Sequence, residues 1–370
     1  MAHVLFGLTI AVAPSLRGEN ITLPDIGASS GALMTPVEEQ RLGRQFMRSV
    51  RRGLPVIDEP LLAEYIENLG QRLISFADRG QRTFHFFLVD QQAINAFAGP
   101  AGNVGVFSGL VLATESESEL ASVVAHEIAH VTQDHLVRAF ENASQMSGPT
   151  AALLLAAIIL GATVGGDAGI AAAAGVQAAA VQQQLNFTRE NEKEADRVGI
   201  SILADAYFDP HAMPVFFERM AKASRLYENN APEFLRTHPV TTNRIADAMG
   251  RADSYPYRQR PEDVDYFLVR TILRERAFKD PEGAVTHFAT TLRQGRYRDQ
   301  DAEHYGYALA LLRNRQPRQA RDEIQRLLKR SPTNIAYLLL DARVKAELGQ
   351  TDKALRTVGT ALELFPGNYP

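Results

Sequence analysis

The stretch His126-Glu127-Ile128-Ala129-His130 constrains this chain more than any other. A largely apolar run from Ala121 to Ala125 precedes it, and Ser116-Glu117-Ser118-Glu119 reads as a capping box. The pattern predicts a buried helix carrying the residues from Leu120 to about Phe140. Positions four apart share one helix face, so both imidazoles can meet a single ion. Glu127 lies one step round, placed to act as a base without binding the ion itself. The alternative, a solvated helix face, fits poorly. Three polar side chains on a buried helix need partners.

A catalytic zinc site has three protein ligands and one open position. The chain has no cysteine, so the ligands must be His and carboxylate. The candidate for the third lies in Glu190-Asn191-Glu192-Lys193-Glu194-Ala195-Asp196. Glu192 and Asp196 are four apart on one helical face. One can bind the ion while the other accepts a hydrogen bond from a ligand histidine's second nitrogen. Spacing alone leaves Glu192 and Glu194 both open.

The rest of the chain reads as follows. Ala2 to Ala13 is a short apolar run ending in Ala-Val-Ala, similar to a trimmed secretory signal without its basic start. A Gly/Pro/Ser-rich linker runs from 14 to 34. Thr35-Pro36-Val37-Glu38 starts a helix that should reach about Arg52, and a second begins near Pro60. Thr83 to Val89 reads as a strand. Ile94 to Phe97 and Val104 to Phe107 flank Gly99-Pro100-Ala101-Gly102 and read as a hairpin. Residues 150–185 read as a pair of small-residue helices over the active site, with contact to a membrane surface as the minor reading. The apolar run there is too short to span a bilayer, which takes roughly 20 residues. Helices are expected over Asn186 to Ala204 and after Asp209-Pro210.

From Tyr266 onward the chain reads as all-helical. Ala320 and Ala354 are 34 apart, as are Gln316 and Gln350, Pro332 and Pro366, and Asn334 and Asn368. That is the period of tetratricopeptide helix pairs, and Gly283-Ala284 suggests an earlier, degenerate unit. Stacked pairs of this kind make concave surfaces for protein partners. The net charge of -4 gives no reason to expect a nucleic acid partner.

On these residues the chain resembles the gluzincin peptidases that include the CaaX-prenyl protease and the heat-shock membrane protease HtpX. The shared pattern is His-Glu-x-x-His followed by Glu-x-x-Ala-Asp, here Glu192 to Asp196. Asn95-Ala96-Phe97-Ala98, Thr237-His238-Pro239 and Arg244 match further elements. The four membrane helices of HtpX are not seen, so the likeness is to the soluble periplasmic branch with a tetratricopeptide tail. The resemblance implies a mainly α fold with a small β-sheet, a zincin-like metalloprotease domain followed by an α-solenoid. It implies boundaries of 1–27 for leader and linker, 28–262 for the protease and 263–370 for the repeats. One Zn2+ would be held by His126, His130 and Glu192, with Asp196 behind them and Glu127 as general base. His238 or Arg244 would be the oxyanion donor, and His238 is also a possible fourth ligand that closes the site. His135, off the ligand face, reads as structural. The edge strand near Asn95 would receive an extended substrate. The implied activity is a zinc endopeptidase of the periplasm acting on misfolded or misassembled outer-membrane proteins. Its partners would be outer-membrane β-barrels and their assembly machinery. The alternative is a chaperone or adaptor with a largely closed zinc site.

Overall fold

The computed structural model describes residues 35–142 apart from 79 and 81, then 189–226, 232–256 and 261–365. The proposed leader and the small-residue segment at 150–185 lie outside the described residues. Among the described residues, no helix is long and apolar enough to cross a membrane.

Helix α1 (Pro36–Gly53) begins as its sequence predicts. Thr35 Oγ accepts from the Glu38 N–H, and the Glu38 carboxylate accepts from the Thr35 N–H at 2.8 Å. Helix α2 (Pro60–Ile74) buries Leu62, Tyr65, Ile66, Leu69 and Leu73 on one face. Between and beyond them lie β1 (Val56–Ile57), β2 (His85–Val89), β3 (Ala96–Gly99) and β4 (Asn103–Phe107). The sheet order is β1-β2-β4-β3. β2 and β4 run parallel; β3 pairs with β4 antiparallel and forms an edge. The expected hairpin is therefore present. Its turn needs Gly102, whose φ is +71 and whose added Cβ would lie 2.2 Å from the Thr83 carbonyl oxygen.

After the short α3 (Ser108–Ala113) comes α4 (Glu117–Thr132), which carries the paired histidines. Two details differ from the sequence reading. The capping box is half made: Ser116 Oγ accepts from the Glu119 N–H, but the Glu119 carboxylate turns to the Glu115 N–H and to Arg219. Moreover, the single helix expected to reach Phe140 is two. Asp134 takes a φ of 56, and α5 (His135–Asn142) sets off in a new direction. The left-handed residue is tied by an ion pair between its carboxylate and Arg82. Its carbonyl caps α5 by accepting from the Arg138 N–H at 2.8 Å.

Helix α6 (Arg189–Asp205) packs along α4. Close approach requires Gly199: a Cβ there would sit 3.2 Å from the His126 nitrogen and 3.1 Å from Met213 Cε. Helices α7 (Ala212–Leu226), α8 (Glu233–Thr237) and α9 (Thr242–Ala252) complete this half.

The remaining helices stack: α10 (Val264–Ala277) and α11 (Pro281–Gln294) both pack on α12 (Gln300–Arg313), which pairs with α13 (Pro317–Arg330), and α14 (Ile335–Glu347) pairs with α15 (Thr351–Leu364). Ala284, Ala320 and Ala354 occupy the fourth position of α11, α13 and α15, and all three are buried. Ala320 and Ala354, 34 apart, are the repeat signal made physical, and Ala284 takes the same place in α11 at a spacing of 36. Helix α10 is anchored to the preceding half. Tyr266 Oη donates to the Thr114 carbonyl at 3.1 Å, and Arg270 to that of Leu112 at 2.7 Å. Within the stack, Gly306 has no room for a side chain, since an added Cβ would lie 2.4 Å from Phe288 Cε1 and from Thr271 Cγ2. Replacing Gly306 with Val is expected to destabilise the repeats by about 1–3 kcal/mol through overpacking. Chemical denaturation followed by circular dichroism would measure it.

Candidate metal centre

Four side chains from three elements converge in the interior. His126 and His130 come from α4 and Glu192 from α6. His238 comes from the residue that ends α8. One ligand atom from each lies within 4.8 Å of all the others, and each residue is at most 2% exposed. The close edges are His130 Nε2 to His126 Nε2 at 3.0 Å and His126 Nε2 to His238 Nδ1 at 3.4 Å. His238 Nδ1 to Glu192 Oε1 is 3.0 Å, and His130 Nε2 to the same oxygen is 3.5 Å.

These distances test whether zinc fits. Ligand atoms about 2.0–2.1 Å from a tetrahedral centre stand roughly 3.3 Å from one another. The observed edges bracket that value. Nitrogen and carboxylate donors suit zinc, and the described cluster holds no thiolate. The electrostatics agree. Burial disfavours charge on His126, yet Asp196 and Glu192 raise its pKa to about 9. Burial would also raise Glu192, but His238 and His126 hold its carboxyl well below the usual range. Burial and the neighbouring His126 hold the His130 imidazole well below its ordinary value, in the neutral form a ligand needs. The buried His/His/Glu/His group is that of a single zinc site.

Behind the ligands stands an ionic frame. Asp196 Oδ1 lies 3.0 Å from His126 Nδ1, the nitrogen turned away from the cluster. Arg244, on α9, grips Asp196 with two bonds, Nε to Oδ2 at 2.7 Å and Nη2 to Oδ1 at 2.8 Å. Its Nη1 contacts Glu192 Oε2 at 2.7 Å and donates to the Pro239 carbonyl at 3.0 Å. All three guanidinium nitrogens are engaged with these groups, and the residue is 3% exposed. In this arrangement Arg244 faces the Asp196 and Glu192 carboxylates.

Glu127 is fully buried, and neither carboxylate oxygen makes a close hydrogen bond among the described residues. His238 Nε2 stands 3.4 Å from its Oε1. Burial pushes the Glu127 carboxyl upward, opposed by His238 and His126. The edge strand β3, Ala96 to Gly99, runs beside α4.

The placements follow the sequence reading for His126, Glu127, His130, Glu192, Asp196 and His238, which gather at one point. They also separate Glu192 from Glu194. Glu192 enters the cluster, whereas Glu194 points to His135 and Arg138. His135 also lies against a ligand histidine, closer than its spacing suggests. Its Nδ1 lies 2.8 Å from His130 Nδ1. On a continuous helix a residue five positions on is turned by about 140°. The break at Asp134 brings it back, and no spacing rule announces that break.

A family model described as Peptidase family M48 matches residues 60–252. A Vibrio cholerae protein is 43% identical over 323 residues, covering 87% of this chain and 66% of its own length. The beta-barrel assembly-enhancing protease of Escherichia coli is 36% identical over 365 residues, 98% of this chain and 74% of its own. The mitochondrial metalloendopeptidase OMA1 of Danio rerio is 30% identical over 206 residues, 54% of this chain and 42% of its own. The chain thus spans about two thirds to three quarters of the length of its bacterial relatives here.

Proposed function

The chain belongs to peptidase family M48, and from that premise we propose that it is a zinc-dependent endopeptidase of the periplasm that removes misfolded or misassembled outer-membrane proteins. The observation that carries the activity is the buried convergence of His126, His130, Glu192 and His238 beside Glu127. The client class and compartment rest on similarity to beta-barrel assembly-enhancing proteases. We assign 28–262 to the protease, 263–370 to the repeats and 1–27 to a leader and linker. The family match at 60–252 and the start of α10 at Val264 support the middle boundary.

His126, His130 and Glu192 would hold the zinc. The ion would supply Lewis-acid polarisation of the scissile carbonyl and activation of water. The chain's own residues do the rest. Glu127 accepts the proton of the attacking water and delivers it to the leaving amine. Its carboxyl suits that exchange, because burial holds its pKa upward. Asp196 orients the His126 ring, and Arg244 orients Asp196 and Glu192. We therefore assign Arg244 to positioning, since its donors are engaged there. Strand β3 forms the sheet edge to which an extended polypeptide would add, with main-chain hydrogen bonds giving affinity without strong sequence preference.

His238 joins the two readings of this site. With Nδ1 on Glu192 and Nε2 near Glu127, it occupies both the ligand set and the base. That closure favours a resting enzyme, and it is the observation behind the second reading, a chaperone or adaptor whose site stays shut. Zinc analysis together with casein cleavage, with and without chelator, tests the proposal. One zinc per chain and chelator-sensitive cleavage are expected. In the same assay His238→Ala should cleave faster if the histidine is a lock. Metal-free protein with no cleavage under any condition would remove the enzyme reading.

A further inference from the structure

The ligand helix α6 carries a third carboxylate that the mechanism above leaves unused. Glu192 enters the cluster and Asp196 supports His126, but Glu194 faces the other way, toward α5. Its neighbours there form a chain. Glu194 Oε2 lies 3.2 Å from His135 Nε2, and His135 Nδ1 lies 2.8 Å from His130 Nδ1. His130 Nε2 then faces His126 and Glu192.

The proton positions along this chain follow from elementary chemistry. A carboxylate only accepts hydrogen bonds. A neutral His135 therefore carries its proton on Nε2 and leaves Nδ1 as an acceptor. Two imidazole nitrogens 2.8 Å apart can share one proton, since two lone pairs or two N–H groups would repel. The proton between the rings must then belong to His130 Nδ1. That leaves the lone pair of His130 on Nε2, aimed into the cluster, which is the tautomer a metal ligand needs. Arg138 Nη2, 3.1 Å from Glu194 Oε2, keeps that carboxylate in place.

We propose that Glu194 and His135 form a positioning relay that sets the tautomer and ring angle of His130, the counterpart of Asp196 behind His126. The two ligand histidines are thus braced differently, one directly by a carboxylate and one through a second imidazole. One helix, α6, supplies the carboxylate at the end of both braces. The relay exists only because Asp134 breaks the helix after His130 and turns His135 back toward it.

The inference rests on the zinc reading, and the test separates the two. Zinc affinity of the full chain is measured by competition with a chromogenic chelator, alongside thermal unfolding. His135→Leu removes the acceptor and should weaken zinc binding by about 10- to 100-fold. His135→Asn places an amide oxygen near the lost Nδ1 and should recover most of that affinity. A purely structural role would not follow the acceptor in this way. Should His135→Leu fail to fold, Glu194→Ala, at a partly exposed position, carries the test with a smaller loss of the same sign. Unchanged affinity in His135→Leu, or in Glu194→Ala where that variant stands in, would overturn the relay while leaving the zinc site intact. So would equal loss in the Leu and Asn variants. Wild-type chain that binds no zinc would instead sink the metalloprotease reading, and the relay with it.

Discussion

Changing Glu127 to Gln is expected to cut casein cleavage by roughly 10^2- to 10^4-fold, the usual contribution of a positioned general acid–base. The substitution is nearly isosteric, so the fold should hold. Zinc content should also hold, because Glu127 is not among the four converging ligand residues. What is lost is the ability to take a proton. The side chain is fully buried, and the amide keeps its shape while giving up only the charge that faces His238 Nε2 at 3.4 Å. The variant also divides the two functional readings. A protease loses its effect on clients along with cleavage, whereas a chaperone or adaptor retains it. Cleavage that survives at the wild-type rate would show that the proton moves by another route.

Arg244→Ala should be the most destabilising single change near the site. It leaves Asp196 and Glu192 buried without their shared cation, and breaking such a pair from one side costs about 3–5 kcal/mol. The loss is best read by denaturant unfolding of chelator-treated protein, since a bound cation would mask part of it. Its pH dependence has a definite sign. Burial raises the Asp196 carboxyl, but Arg244 and His126 together hold it below the ordinary value. A depressed carboxylate stabilises the fold above its unfolded pKa, and the contribution vanishes as pH falls through the folded one. The gap between wild type and variant should therefore be widest near neutrality and close in acid. Arg244→Lys should recover only part of the loss, because an ammonium cannot grip Asp196 with two parallel bonds. A variant as stable as wild type at neutral pH would mean that the frame adds nothing.

Both predictions turn on residues that the sequence treated unequally. Glu127 was legible from its place between two histidines four apart. Arg244 stood out only by resemblance, which left its job open between oxyanion donor and bystander. An arginine six residues after a site histidine can point toward the substrate or behind the ligands. The packing of α9 on α6 places it beside Asp196 and Glu192. Glu192 and Glu194 make the same point. They are two residues apart and chemically identical, so spacing on one helix cannot rank them. The packing of α6 on α4, made close by Gly199, turns one inward and leaves the other to His135.

What the sequence alone determined is local or periodic. It specified the caps of α1 and α4, the apolar faces, the turn at Gly102, the His-Glu-x-x-His face and the 34-residue beat of the helix pairs. Each of these follows from geometry within a few residues of chain, or from one spacing repeated. The tertiary structure decided the rest: which carboxylate meets the histidines, where Arg244 spends its donors, and how His135 returns to His130. These depend on angles between elements far apart in sequence. Such angles are set by the sum of many side-chain contacts, and no short motif encodes that sum.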